Sequence, residues 1–252
     1  MAQTHKVIAI YNQKGGVGKT TITWALASLM RAEGYKVLCI DLDSQLNLSY
    51  TLGALNTPKN ILSALVERKG RENIYHVKTW GDIIPGSVNM DALTIKARKS
   101  KQEYLLRELL AEIEGYDVIL LDCSPGLGLE NVNALTAADY LLVPATLETY
   151  ALQGISSLLE VVKTIKARSN KALTWLGIVI TDYKPRLNLS QHLENQLSKM
   201  LNKENIPILH SHIRYSVKVK EAILNGEPLP EACNSYQDYK SLLNEVLEAM
   251  KI

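Results

Sequence analysis

The residues most capable of chemistry are contiguous: Asn12-Gln13-Lys14-Gly15-Gly16-Val17-Gly18-Lys19-Thr20-Thr21. Three glycines let backbone N–H groups converge on a ligand at close range, and a helix opening directly after them adds its own N-terminal donors. That arrangement suits a polyphosphate. Lys19 is spaced to reach the β- and γ-phosphates and the Thr20 hydroxyl to bind Mg²⁺, as in a P-loop. The usual pattern begins with a glycine separated by four free residues from the Gly-Lys-Ser/Thr. Here that place is held by Gln13, and an additional lysine, Lys14, follows it.

A metal-organising carboxylate is the second requirement of phosphoryl chemistry. Asp122 ends the apolar run Val118–Leu121, where a Walker B acid is expected. Asp41 and Asp43 end another such run. Two carboxylates at i and i+2 on a strand face the same way, so one can hold a metal-bound water while the other orients an attacking water.

These groups need strands that stop at one edge. Apolar runs of strand length occupy 6–11, 36–43, 117–122, 140–146, 173–181 and 206–211. Their apolarity is continuous rather than alternating, which predicts strands buried on both faces of a parallel sheet. Helical spacing lies between them: after the glycine loop up to Gly34, over 103–115, over 154–167 and at the C-terminal end. Strand–helix alternation throughout predicts a single-domain α/β fold with a doubly wound, mainly parallel sheet flanked by helices. Residues 51–100 are the least regular and the expected place for an insertion or a mobile segment. That region contains the basic run 96–101, which reads as a solvated loop.

Composition narrows the class without naming it. The 252 residues suit one large domain, and Lys+Arg 28 against Asp+Glu 26 gives a net charge of +2, so any basic surface must be local. Cys39, Cys123 and Cys233 lack metal-ligand spacing, and two of them lie in apolar runs, as expected of reduced core residues. The short apolar run at the start leads into the glycine loop and has neither signal-peptide nor membrane-span character. A cytoplasmic protein is expected.

Taken together, "KGGVGKTT" (14–21), "DLDSQLNLS" (41–49), "LLDCSPGLG" (120–128), "NALTAADYLLVPATLETYALQGI" (133–155) and "IRYSVKVKEA" (213–222) resemble the ParA/MinD family of deviant Walker ATPases, and most closely its ParA/Soj branch. The resemblance spans nearly the whole chain. It implies an ATPase with ATP and Mg²⁺ as ligands, and residues Gly15, Gly16, Val17, Gly18, Lys19, Thr20 and Thr21 as the phosphate cradle. It implies a homodimer in which ATP is sandwiched, with Lys14 reaching the partner's phosphates. Asp43 then positions the hydrolytic water, Thr20, Asp41 and Asp122 serve the Mg²⁺, and 122–128 forms a second switch. The region of Thr181, Asp182 and Pro207 is implied to border the base. Two departures affect the switches: Ser44 and Ser124 stand where the family usually has proline.

The same resemblance implies that the dimer binds nonspecific double-stranded DNA, associates with the nucleoid in its ATP form, and is released after hydrolysis stimulated by a ParB-like centromere-binding protein. The matching basic candidates are Lys218 and Lys220, with Arg214 beside them, and Lys163, Lys166, Arg168 and Lys171. No helix-turn-helix extension precedes the first strand, so operator recognition is not expected.

Three rival readings have sequence features to weigh. A MinD-like membrane switch needs a basic amphipathic C-terminal helix, yet Lys240, Glu245, Glu248 and Lys251 beside the apolar face Leu242, Leu243, Val246, Leu247 and Met250 sum to zero charge. A helix packed on the sheet, with no stable membrane association, is the expectation. A cluster reductase needs paired cysteines that are not evident. A metabolic ligase on the same fold is set low, and His210 and His212 alone do not make a metal site. An ATPase positioning a protein cargo stays open.

Overall fold

The computed structural model describes residues 5–55, 57–96, 101–148, 151–184 and 188–252, without the side chains of 188–191. Strands β1 (Lys6–Ile10), β2 (Val37–Asp41), β3 (Tyr75–Val77), β4 (Gly81–Ile84), β5 (Val118–Asp122), β6 (Tyr140–Thr146), β7 (Thr174–Tyr183) and β8 (Ile208–Arg214) form one sheet in the order β3-β4-β2-β5-β1-β6-β7-β8. All neighbours are parallel except β3 and β4. The helices are α1 (Lys19–Ala32), α2 (Asn47–Thr51), α3 (Ile61–Glu67), α4 (Leu93–Lys96), α5 (Leu105–Leu110), α6 (Leu129–Ala137), α7 (Ala151–Arg168), α8 (Asn188–Asn202), α9 (Val217–Asn225) and α10 (Tyr236–Met250).

The continuous apolarity of the central strands has the predicted cause. Val7 and Ala9 of β1, Leu38 and Ile40 of β2, and Ile119 and Leu121 of β5 enter one core layer with α3, α5, α6, α7 and α8. Their sequence neighbours Ile8, Ile10, Val37, Cys39, Val118 and Leu120 enter the opposite layer with α1, α9 and α10. Period-two side-chain direction therefore sends every residue of a central strand into one core or the other. The three cysteines are buried and free.

The six predicted strands are all present, but residues 51–96 differ from expectation. Instead of an insertion, they supply α3, α4 and two more strands. β4 extends the sheet beside β2, and the exposed β3 closes that edge by an antiparallel hairpin. In the run 96–101, Lys96 ends α4 and residues 97–100 lie outside the described residues. The helix expected over 103–115 is shorter, a 3₁₀ turn at Gln102–Tyr104 leading into α5.

At the opposite edge α10 covers β8. Its Leu242, Leu243, Val246 and Met250 are buried in the core. Glu245 accepts hydrogen bonds from the backbone N–H groups of His210 and Ser211, both at 2.8 Å, and Asp238 accepts from that of Arg214 at 3.1 Å. Two acids of the helix thus occupy donors that an edge strand would otherwise present to another chain. The apolar face that a lipid-bound helix would need is used up in packing. Among the described residues no helix is long and apolar enough to cross a membrane.

Candidate nucleotide site

The candidate catalytic groups converge because three neighbouring strands end in register. Ile10 of β1 and Asp41 of β2 both lie opposite Asp122 of β5, so the loops after β1, β2 and β5 leave the sheet at one level. The crossover that follows β1, α1, packs on one face, whereas those that follow its neighbours β5 and β6, α6 and α7, pack on the other, and ligands of open α/β sheets bind in such a crevice.

Asn12 shapes the glycine loop. Its side chain donates to the Pro144 carbonyl at 2.8 Å and accepts from the Lys14 N–H at 3.0 Å, clamping the turn to β6. Gly18 then takes φ 91°, a left-handed conformation that is strained for other residues, and α1 begins at Lys19 without a side-chain cap. The first-turn donors of α1 are consequently left to a ligand. Thr181, at the end of β7, buttresses the loop by donating to the Val17 carbonyl at 2.8 Å. Lys19 is buried, donates to the Lys14 carbonyl at 2.9 Å, and burial lowers its pKa against the raising fields of Asp122, Cys123 and Asp43.

The acids divide their duties in a way that spacing did not reveal. β2 ends at Asp41, so Asp43 lies in the following turn and the shared-face geometry of a strand does not apply to the pair. Asp41 is fully buried and held by protein donors on both oxygens. Asp43 N–H donates to Oδ1 at 3.0 Å, and Ser49 donates to Oδ2 through N–H at 2.9 Å and hydroxyl at 2.6 Å. Ser49 Oγ in turn accepts from Gly86 N–H at 2.9 Å. Any side chain at Gly86 would place Cβ 3.1 Å from the Asp41 carboxyl carbon and 2.7 Å from Leu46. Burial, offset in part by these hydrogen bonds, still raises the Asp41 pKa to about 6.

Asp122 is the acid with capacity to spare. Its Oδ1 accepts from the Thr23 hydroxyl at 3.3 Å, while Oδ2 is buried without a hydrogen-bond partner. Burial is the main cause that raises its pKa well above normal; the Asp41 and Asp43 charges add to it, and Thr20 and Lys19 oppose them. Asp122 and Asp43 act on one buried ammonium, that of Lys19, and Asp122, which keeps an unpartnered oxygen, lies beside the Thr20 hydroxyl. Hard oxygen donors with excess negative charge fit Mg²⁺, and Asp122 with Thr20 would hold it.

Two open cavities of about 260 and 680 Å³ flank the glycine loop. The larger is lined by Lys19, Thr20, Asp43 and Gln45, the phosphate end. The smaller is lined by Val17, Thr181, Asp182, Ile213, Tyr215 and Ser216, the end suited to a base. Gly16, Gly18, Thr21 and Lys220 line both, which makes them one cleft. Pro207 is not in it. That residue precedes β8, and its carbonyl accepts from Ile178 N–H at the other end of the sheet; the residues that close β8, from Ile213 to Ser216, line the cleft instead.

These contacts decide the class. Residues 5–175 match the AAA domain family AAA_31. In an alignment of 249 residues the chain is 31% identical to the chromosome-partitioning ATPase Soj of Treponema pallidum, covering 96% of this chain and 97% of Soj. The chain belongs to the ParA/MinD family of ATPases. Among solved structures, this ParA/MinD chain is similar to cobyrinic acid a,c-diamide synthase from Mycobacterium smegmatis with bound ATP analog and magnesium, at TM-score 0.85 and 25% identity over 98% of this chain and 96% of that one. It is also similar to a plasmid partition protein from Borrelia burgdorferi bound to AMPPNP, at TM-score 0.80 and 25% identity over 97% and 99%.

Outside the cleft, Lys14 stands at the rim, partly exposed, in an ion pair with Glu148 whose hydrogen bond lowers the Glu148 pKa. Thr149 and Tyr150, which follow, lie outside the described residues. The segment 122–128, expected as a switch, is tied to the glycine loop: Tyr11 hydroxyl donates to the Gly126 carbonyl at 2.6 Å, and Gly126 N–H to the Gln13 carbonyl at 2.9 Å. Ser124 donates to Glu130 at 2.7 Å and accepts from Asn131 at 2.8 Å, two bonds that a proline could not make.

The basic candidates do not form one surface of a single chain. α7, which carries Lys163, Lys166 and Arg168, packs on the first core layer, and α9, which carries Lys218 and Lys220, packs on the other. Lys163 is paired with Glu160 at 3.2 Å and Glu204 at 2.9 Å. Arg214 makes a bidentate pair with Asp238, two contacts of 2.9 Å, and donates to the Asn234 carbonyl. Lys166, Arg168 and Lys171 cluster at and just beyond the C-terminal end of α7, where cations also favour the helix dipole. Asn12, Thr23, Ser49 and Glu148 were missed as site residues; a polar side chain within or beside each loop motif was the only signal.

Proposed function

We propose that this ATPase partitions DNA: an ATP-sandwich dimer binds double-stranded DNA without sequence preference and lets go after hydrolysis stimulated by a ParB-like partner. The observation that carries the reading is Lys14 at the rim of a complete nucleotide cleft, in a chain similar over nearly its full length to a chromosome-partitioning ATPase. An exposed lysine whose only carboxylate partner among the described residues is on the surface is free to exchange that partner for a phosphate across an interface. The γ-phosphate distinguishes ATP from ADP at that contact, so nucleotide state sets oligomeric state.

Within the cleft, Lys19 and the α1 donors hold the phosphates, and bound Mg²⁺ supplies neutralisation of their charge. Asp43, anchored by accepting the Gln45 N–H at 3.0 Å, orients the attacking water. Asp41, with both oxygens occupied, serves by fixing the loop that carries Asp43. Asp182, at φ 51°, and the Ile213–Ser216 segment receive the base. With no strong base in the cleft, turnover without the partner is slow. For DNA, Lys166, Arg168, Lys171, Lys218 and Lys220 are the candidates whose charge is not spent on a carboxylate among the described residues, and dimerisation doubles them.

The test is binding of the full chain to random-sequence duplex DNA with ATP, ADP or no nucleotide, with solution mass measured in parallel. ATP-dependent dimers with salt-sensitive DNA binding are expected. ATP-dependent dimers that ignore DNA would overturn the DNA reading and redirect the search to a protein cargo.

A further inference from the structure

The first turn of α9 has an unusual charge arrangement. It holds Lys218 and Lys220, no acid, and an N-cap, Ser216, that makes no side-chain capping bond. Cations at the positive end of a helix are disfavoured unless something negative faces them. Lys218 is relieved locally, since its ammonium donates to the Ala232 carbonyl at 3.2 Å. Lys220 is not. It makes no ion pair among the described residues, and its Nζ stands 4.6 Å from the centroid of the Tyr215 ring.

That position is in the cleft. Lys220 lines the base-end cavity with Asp182 and Tyr215 and also the phosphate-end cavity with Lys19 and Thr20. A residue bordering both ends stands beside the middle of a bound nucleotide. The Tyr215 ring face holds the ammonium there without neutralising it, as a carboxylate would. We infer that Lys220 is a nucleotide-binding residue, a cation for the phosphates nearest the ribose, with Tyr215 as the platform that positions it. Its charge is then directed into the cleft rather than onto DNA, and the helix-terminal conflict in α9 is resolved when the polyphosphate binds. The inference needs only the ATP site and is independent of the DNA reading.

The test is equilibrium binding of fluorescent ATP and ADP analogues to the full chain with Lys220→Met, Lys220→Arg and Tyr215→Ala. Lys203→Met, an exposed change just after α8 at the far end of the sheet, controls for net charge. Lys220→Met is expected to weaken both nucleotides by about fivefold to tenfold, as for loss of one charge-assisted contact discounted for solvent. The loss shrinks at high salt. Lys220→Arg retains most affinity, Tyr215→Ala loses about twofold to fourfold, and Lys203→Met loses nothing. The nucleotide-free melting temperature of Lys220→Met should equal or exceed that of the parent, because the helix-terminal conflict is removed. Affinities within twofold of the parent, or an equal loss in Lys203→Met, overturn the assignment whatever happens to DNA binding. A loss confined to ATP overturns it too, since that would put the amine at the γ-phosphate.

Discussion

Replacing Asp122 by Asn should make the nucleotide-free protein more stable while destroying its use of Mg²⁺. Asp122 is fully buried, one carboxyl oxygen has no hydrogen-bond partner, and Asp41 lies beside it in register. Holding an acid there costs the fold either a buried charge or a proton that the unfolded chain would release. An amide of the same shape keeps an acceptor for Thr23 and removes that cost. Allowing for relaxation, the gain is about 2 kcal/mol at neutral pH, which for a chain of this size is about 4–8 °C in melting temperature. The sign with pH follows from the raised native pKa. The penalty is present above the unfolded value of 3.8 and vanishes below it, so in EDTA the two proteins should converge as pH falls toward that value. Thermal unfolding followed by circular dichroism, with EDTA and then with Mg²⁺ and ATP, measures both halves. With ligands the order should reverse, because only the parent gains the full binding energy. An Asn variant that melts at or below the parent in EDTA at neutral pH would refute the reasoning, since Asp122 would then be an ordinary satisfied core acid.

Three further outcomes follow from the same geometry. Asp43→Ala should cut phosphate release by about 100-fold and leave ATP-bound dimers on a sizing column, and normal hydrolysis would remove Asp43 from the water-positioning role. Lys14→Ala should bind nucleotide but fail to dimerise with ATP in analytical ultracentrifugation, whereas Glu148→Gln should dimerise at least as readily as the parent; their pair is exposed, so neither change should move stability by more than about 1 kcal/mol. Ser49→Ala strips partners from Asp41 and from the Gly86 N–H, both buried in the site, and should cost about 1–3 kcal/mol in chemical denaturation; a neutral result would mean that water replaces the hydroxyl.

What could be read from the chain depended on whether its information was local. β1, β2, β5, β6, β7 and β8 were legible because burial on both faces demands apolar residues at every position, whereas β3 and β4 are short, sit at an edge and carry exposed Tyr75 and His76. The phosphate cradle was legible because one strand, one turn and one helix supply it in consecutive residues. Asp41 was recognisable as a site acid, but its bonding was not, since Ser49 and Gly86 reach it from other parts of the chain. Pro207 was misplaced for a related reason: a run such as 206–211 shows a strand without showing which of its ends faces the cleft, and the end that matters begins at Ile213. Basic residues show this limit most clearly. A lysine's sequence neighbours say nothing of whether a carboxylate waits 41 residues away, as Glu204 does for Lys163, or whether a tyrosine ring turns the ammonium toward a nucleotide, as Tyr215 does for Lys220. Charge is written residue by residue, but an electrostatic surface exists only after folding has chosen which charges are paired. For a ParA/MinD chain the ATP site can therefore be read in advance, whereas the basic residues of α7 and α9 lie on opposite core layers of one chain, so a surface that combines them would require a second copy, as the proposed dimer supplies.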